Sequence, residues 1–237
     1  MSLSSQKVAV ITGASQGIGA GLVEGYRKLG YAVVATSRSI VPSRDEDLLT
    51  VQGDIADPTT AERVIGAAVD AFGRVDTLVN NAGVFVAKPF TEYTEQDYDF
   101  VTGVNLTGFF HLTQLAIEQM LAQGGGHVVQ ITTSLVEHAD SKVTSVLASL
   151  TKGGLQAASK ALAIEYASRG IRSNAVALGT IRTPMHAPEY HDALAAMHPL
   201  GRMGEISDVV EGVLYLERAP FVTGEVLAVD GGQSAGH

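Results

Sequence analysis

The 237 residues contain no cysteine and no tryptophan, 6% aromatics and 7 prolines. Without cysteine there are no disulfides, no thiolate nucleophile and no Cys-ligated zinc, and no metal site is expected. Charge is scarce at 17%, and basic charge scarcer still: 16 Lys and Arg stand against 25 Asp and Glu, a net charge of −9. Nucleic-acid binding needs a basic face to neutralise phosphates, so no nucleic-acid partner is expected. With 46% hydrophobic residues the chain is also unlike a disordered protein. Long hydrophobic runs are missing too. The first, Val8 to Ile11, is too short for a signal peptide or a membrane span, so a soluble cytoplasmic protein with no membrane partner is expected. Glycine is what the chain has in quantity, 26 residues unevenly spread.

The apolar pattern repeats one rhythm. Val8–Ile11 is a short continuous run closed by Gly13, as in a strand buried on both faces. Residues 17–29 carry Ile18, Leu22, Val23, Tyr26 and Leu29 at helical spacing before Gly30, and Ala32–Ala35 is a second strand. Asp57 and Pro58 open a helix over 57–72 as cap and first-turn proline. Strands at 75–79, 127–132, 173–178 and 225–229 alternate with helices at 97–121, 147–168 and 206–217. A third strand ends before Gly53. This alternation predicts an α/β fold, a doubly wound parallel sheet between two helical layers, in one domain over 1–237. Residues 184–200, with Pro184, Pro188 and Pro199, break the rhythm and predict an excursion that covers a ligand site.

Between the first strand and first helix lies TGASQGIG, Thr12 to Gly19. Glycines there allow a tight turn and let the backbone approach a pyrophosphate, while the helix N-terminus offers free N–H groups and a positive dipole end. Strand before and helix after make this a dinucleotide site over Gly13, Ser15, Gln16, Gly17, Ile18 and Gly19.

Together with four further motifs, this loop resembles the short-chain dehydrogenase/reductase family. They are Asn80-Asn81-Ala82-Gly83, Asn105 in VNLTG, GIRSNAVALG ending at Gly179, and VTGEVLAVDGG ending at Gly232. The resemblance runs almost end to end and implies a Rossmann-type nicotinamide oxidoreductase acting on a small carbonyl, alcohol or activated C=C substrate. It also implies a homotetramer, with a dimer as the fallback. In that resemblance Asp54 and Ile55 meet the adenine, and Asn81, Ala82 and Gly83 follow the fourth strand. Gly179, Ile181 and Thr183 hold the nicotinamide amide.

Cofactor choice is read at the end of the second strand. NAD enzymes place a carboxylate there, about 20 residues past the glycine motif, on the ribose 2′-hydroxyl. Here Thr36-Ser37-Arg38 has no acid and one guanidinium, so Arg38, with Ser37 and Ser15, favours NADP(H) over NAD(H).

The family's proton-transfer motif is Tyr-x-x-x-Lys. Two lysines compete for its end, Lys152 and Lys160. The spacing to Leu162–Glu165 and to Gly170 selects Lys152, which puts Ala148 where the tyrosine would stand. Lys160 would put Gln156 there, and no tyrosine occurs between Tyr98 and Tyr166. The remaining catalytic candidates are Lys152, which also holds the nicotinamide ribose, Thr133 or Ser134 on the substrate oxygen, and Asn105. Glu137, His138, His186, Tyr190, His191 and His198 are the side chains considered as substitutes for the phenol. Two functions are compatible with cofactor motifs beside a missing acid: an oxidoreductase with an atypical centre, or a catalytically silent dinucleotide sensor or partner subunit.

Overall fold

The computed structural model describes residues 6–236. In chain order its elements are β1 (Val8–Thr12), α1 (Gly17–Lys28), β2 (Ala32–Ser37), β3 (Leu48–Gln52), α2 (Pro58–Phe72), β4 (Thr77–Asn80) and α3 (Glu95–Thr102). There follow α4 (Gly108–Gln123), β5 (Gly126–Thr133), α5 (Val146–Tyr166), β6 (Ile171–Leu178), α6 (His191–Ala195), α7 (Ile206–Arg218) and β7 (Val226–Val229). The strands form one sheet in the order β3-β2-β1-β4-β5-β6-β7, every pair parallel.

Continuous apolar strands need cover on both faces, and alternation divides them between two cores. Val8, Val10, Ala32, Val34, Leu78 and Val128 pack with α2 and α4, whereas Ala9, Ile11, Val33, Ala35, Val79 and Val129 pack with α1 and α7. The chain runs outward through β2 and β3 on one side of β1 and through β4 to β7 on the other. A crevice therefore opens above the C-terminal ends of β1 and β4, the point where such sheets bind ligands.

Local signals end the elements as expected. The Asp57 carboxylate accepts from Thr59 N at 3.0 Å ahead of Pro58, and Gly73, at φ +77°, closes α2. The helix expected over 97–121 departs from the reading. It is broken into α3 and α4 by a π-helical turn at Gly103–Thr107. Asn105 sits in that turn, its amide bonded to Val84 and Thr151 on neighbouring elements. Such wide turns commonly re-aim one side chain from a helix. Among the described residues no helix is long and apolar enough to cross a membrane.

At the opposite, N-terminal edge of the sheet a buried carboxylate ties the layers together. Glu217 of α7 accepts from Tyr26 (3.1 Å), Tyr31 (2.9 Å) and Thr77 (3.0 Å), and lies 2.9 Å from His127 Nδ1. Burial pushes Glu217 up, but the contacts from His127, Tyr31 and Thr77 outweigh it and hold the carboxyl at about 2. Burial keeps His127 below its ordinary value. A neutral ring with its proton on Nδ1 donates to Glu217 and leaves Nε2 to accept from Asn174 Nδ2 at 3.0 Å.

Candidate active site

A cleft of about 400 Å³ occupies the crevice. Its floor is the turn after β1. Gly13 adopts φ +64° and Gly17 φ +56°, left-handed conformations that favour glycine. A Cβ at Gly13 would sit 3.0 Å from Ala82 Cα, and one at Gly19 would collide with the Gly13 carbonyl oxygen. The turn is thus closed tightly beneath the N-terminus of α1. The Thr12 hydroxyl accepts from the backbone of Asn81 (3.0 Å) and Ala82 (2.8 Å), and Asn81 Nδ2 donates to Thr12 O at 2.8 Å. Asn81 therefore braces β1 against β4 and fixes the two strand ends relative to each other.

Every residue expected to hold the cofactor lines this one cleft: Gly13, Ser15, Gln16, Gly17, Ile18, Gly19, Ser37, Arg38, Asp54, Ile55, Asn81, Ala82, Gly83, Lys152, Gly179, Ile181 and Thr183. Arg38 is exposed at the β2 end, and among the described residues Asp54, after β3, is the one acid of the cleft lining. Arg38 and Lys152 are the two basic side chains of the lining.

Lys152 and Ala148 are four residues apart on α5, hence on the same helical face, and both line the cleft. Lys152 Nζ donates to the carbonyl of Ile131 at 2.8 Å. Burial lowers its ammonium to about 8. The approach requires Gly83, since a Cβ there would lie 2.7 Å from Nζ. Lys160 is exposed, and Gln156 is buried beneath the cleft, 3.2 Å from the Thr132 hydroxyl. Of the two competing lysines, Lys152 lines the cleft and Lys160 does not. Among the described residues no tyrosine lines the cleft, whose one aromatic wall residue is Phe85.

The other residues expected at the reacting centre are divided. Thr133, at the end of β5, lines the cleft, with its Oγ accepting from Leu135 N at 3.3 Å. Ser134 does not: its buried hydroxyl donates to the Leu178 carbonyl (3.1 Å) and contacts Gln233 Oε1 (2.9 Å). Asn105 is buried behind the wall, its Oδ1 accepting from Val84 N at 2.9 Å and its Nδ2 donating to the Thr151 hydroxyl at 3.1 Å. Of the side chains considered as substitutes for the phenol, His186 alone reaches the lining, half-buried and with its titration lowered by burial and by His191. Of residues 184–200, Pro184, Met185 and His186 line the cleft, while α6 contributes nothing to its lining. Val84, Phe85 and Met185 complete the wall. Sequence reasoning missed them because they lie in loops without periodicity.

Comparison with known proteins agrees with this geometry. A family model described as enoyl-(acyl carrier protein) reductase matches residues 13–234. The 3-oxoacyl-[acyl-carrier-protein] reductase FabG of Thermotoga maritima is 33% identical over 95% of this chain and 97% of its own length. The structure of ElxO with NADP bound superposes with a TM-score of 0.91 at 30% identity, covering 98% of this chain and all of that one. The 3-ketoacyl-(acyl-carrier-protein) reductase of Brucella melitensis complexed with NADH gives 0.89 at 29%, over 98% of this chain and all of that one. The chain is an NAD(P)-dependent oxidoreductase and belongs to the short-chain dehydrogenase/reductase family.

Proposed function

We propose that the cleft binds NADP(H) and that the chain transfers hydride to or from a small carbonyl, alcohol or activated C=C substrate from a centre in which Ala148 replaces the family's tyrosine. The residues fit the cofactor. The glycine cradle that a Cβ would fill lies under the N-terminus of α1, where a pyrophosphate gains backbone donors and the helix dipole. Of the lining residues, Arg38 with Ser37 and Ser15 would hold the 2′-phosphate, Asp54 the adenine, Lys152 the nicotinamide ribose, and Gly179, Ile181 and Thr183 the nicotinamide amide. When bound, the nicotinamide supplies or accepts the hydride.

The chain's own residues then manage the substrate oxygen and its proton. Thr133, which lines the cleft and whose hydroxyl proton no neighbour takes among the described residues, is the better-placed of the two candidates to donate to that oxygen, since the Ser134 hydroxyl donates to Leu178. The Lys152 ammonium stabilises negative charge there, and with its proton held near pH 8 it can release that proton through water in the space beside Ala148. Asn105 acts as a brace behind the wall, and Val84, Phe85 and Met185 keep the substrate end apolar.

The observation that carries the reading is Ala148 and Lys152 on one face of α5, in a cleft wall that holds no phenol among the described residues. General acid–base groups contribute about 10²–10⁴-fold, so slow turnover is expected with the cofactor site intact. NADPH affinity by fluorescence, beside NADPH oxidation over a panel of diketones, aldehydes and enones, tests it. Tight binding with slow turnover supports the oxidoreductase. Tight binding with no turnover on any substrate supports the silent sensor. In assembly we propose a homotetramer, with a dimer as the fallback. Its support is the exposed apolar surface of α4 and α5, where Phe110 and Leu150 are 57% and 61% exposed.

A further inference from the structure

The covering segment and the Gly179–Thr183 loop meet at a buried side chain that the proposed chemistry leaves unused. His198 is 4% exposed. Its Nε2 accepts from the backbone N–H of Thr180 at 2.9 Å, and its Nδ1 lies 2.9 Å from the carbonyl oxygen of Leu194 in α6. A ring that accepts at Nε2 carries its proton on Nδ1, so both contacts are satisfied by one neutral tautomer, donating to Leu194. The ring fits a slot that other side chains would fill. A Cβ at Gly179 would lie 2.7 Å from Nε2, and one at Gly231 3.2 Å from His198 Cβ. On its other side the Thr180 peptide is held by Gly204, whose N–H donates to Thr180 O at 3.0 Å. The loop is therefore pinned at Thr180, between the cleft-lining residues Gly179 and Ile181.

We propose that His198 is a positioning residue: its imidazole fixes the Gly179–Thr183 loop in the conformation that receives the nicotinamide end of the cofactor, and ties that loop to α6. The inference rests on the reading of the cleft as a dinucleotide site. Removing the acceptor leaves a part-buried N–H unpaired at Thr180, and the loop must shift to satisfy it. The shift is confined to the nicotinamide half of the cleft. Gly13–Gly19, Arg38 and Asp54, on other elements, hold the adenine half.

The test compares NADPH and NADH with the same molecules lacking nicotinamide, 2′-phospho-ADP-ribose and ADP-ribose, by calorimetry. The proteins are wild type, His198→Leu and His198→Gln, whose amide oxygen can still accept from Thr180. His198→Leu should weaken the nicotinamide-bearing ligand about 5- to 20-fold while changing the truncated one less than about two-fold, and His198→Gln should restore most of the loss. A general loss of structure would weaken both ligands together. In the wild-type protein, ring ¹⁵N NMR should show Nδ1 protonated and Nε2 bare, with slow exchange at the Thr180 amide. Equal weakening of both ligands, unchanged NADPH affinity in a folded His198→Leu, or a proton on Nε2 would overturn the proposal. Failure of wild type to bind any of the four ligands would overturn the dinucleotide reading and this inference with it.

Discussion

The ammonium of Lys152 is hydrogen-bonded at 2.8 Å to the carbonyl of Ile131, on the strand that ends at Thr133. One contact thus fixes the charge on α5 relative to the end of β5, and does so in a setting dry enough to bring the lysine down to about 8. The sign of the consequence follows. Below pH 8 the lysine is charged and attracts the dinucleotide's phosphates and ribose; above it the charge is lost. Dinucleotide affinity should be level from pH 6.5 to 7.5 and fall as pH rises through about 8, by up to about ten-fold per unit above the midpoint. Titrations of Lys152→Met should be weak and flat across that range. A flat wild-type profile would separate Lys152 from cofactor binding.

Arg38 sets the second prediction. A hydrogen bond to a charged group is worth about 1.5–3 kcal/mol, so NADPH should bind more tightly than NADH by that amount. Arg38→Ala should erase most of the difference and leave NADH binding nearly unchanged. Equal wild-type affinities, measured by fluorescence, would remove the NADP preference.

Glu217 gives a stability prediction at the far edge of the sheet. Its carboxyl, held at about 2, contributes stability that is present in full above the ordinary glutamate range and is lost as pH falls through about 2. Glu217→Ala leaves the hydroxyls of Tyr26, Tyr31 and Thr77 without their acceptor, and at about 1–3 kcal/mol for a buried group left unpaired should cost about 3–5 kcal/mol in urea unfolding at pH 7. The deficit should shrink toward pH 2, where the wild-type carboxylate is itself protonated. A loss below about 1 kcal/mol would mean the network is worth no more than a surface ion pair.

Assembly is tested by mass. Light scattering at micromolar concentration should give a homotetramer or, failing that, a dimer, and Phe110→Glu with Leu150→Glu should reduce the mass by burying charge at the apolar faces of α4 and α5. A wild-type monomer would contradict the assembly proposed.

The alternation of strands and helices and the glycine turn after β1 were legible because they rest on local signals. Val8–Ile11, the glycines from Gly13 to Gly19 and the Asp57-Pro58 cap each specify a conformation through neighbouring residues. What escaped the reading depends on partners remote in sequence. Asn105 re-aims the helix once Val84 and Thr151 are beside it, and the Ser134 hydroxyl turns away because Gln233, 99 residues later, meets it. Spacing along α5 named Lys152 over Lys160, but only the fold brings it onto Gly83 and Ile131. His198 carried no signal beyond its place in a proline-rich segment, since both its partners are backbone groups.

We propose that the site lacks the family's phenol acid and little else, and Ala148→Tyr tests this most directly. The new phenol would share a helical face with Lys152, whose charge should lower its titration and let it serve as the acid. Carbonyl-reductase turnover with NADPH should rise by about ten-fold or more, within the ~10²–10⁴ range of general acids. The rise should vanish in Ala148→Tyr with Lys152→Ala. A folded, NADPH-binding Ala148→Tyr protein with no gain on any carbonyl would contradict the account and leave a remodelled or silent site in its place.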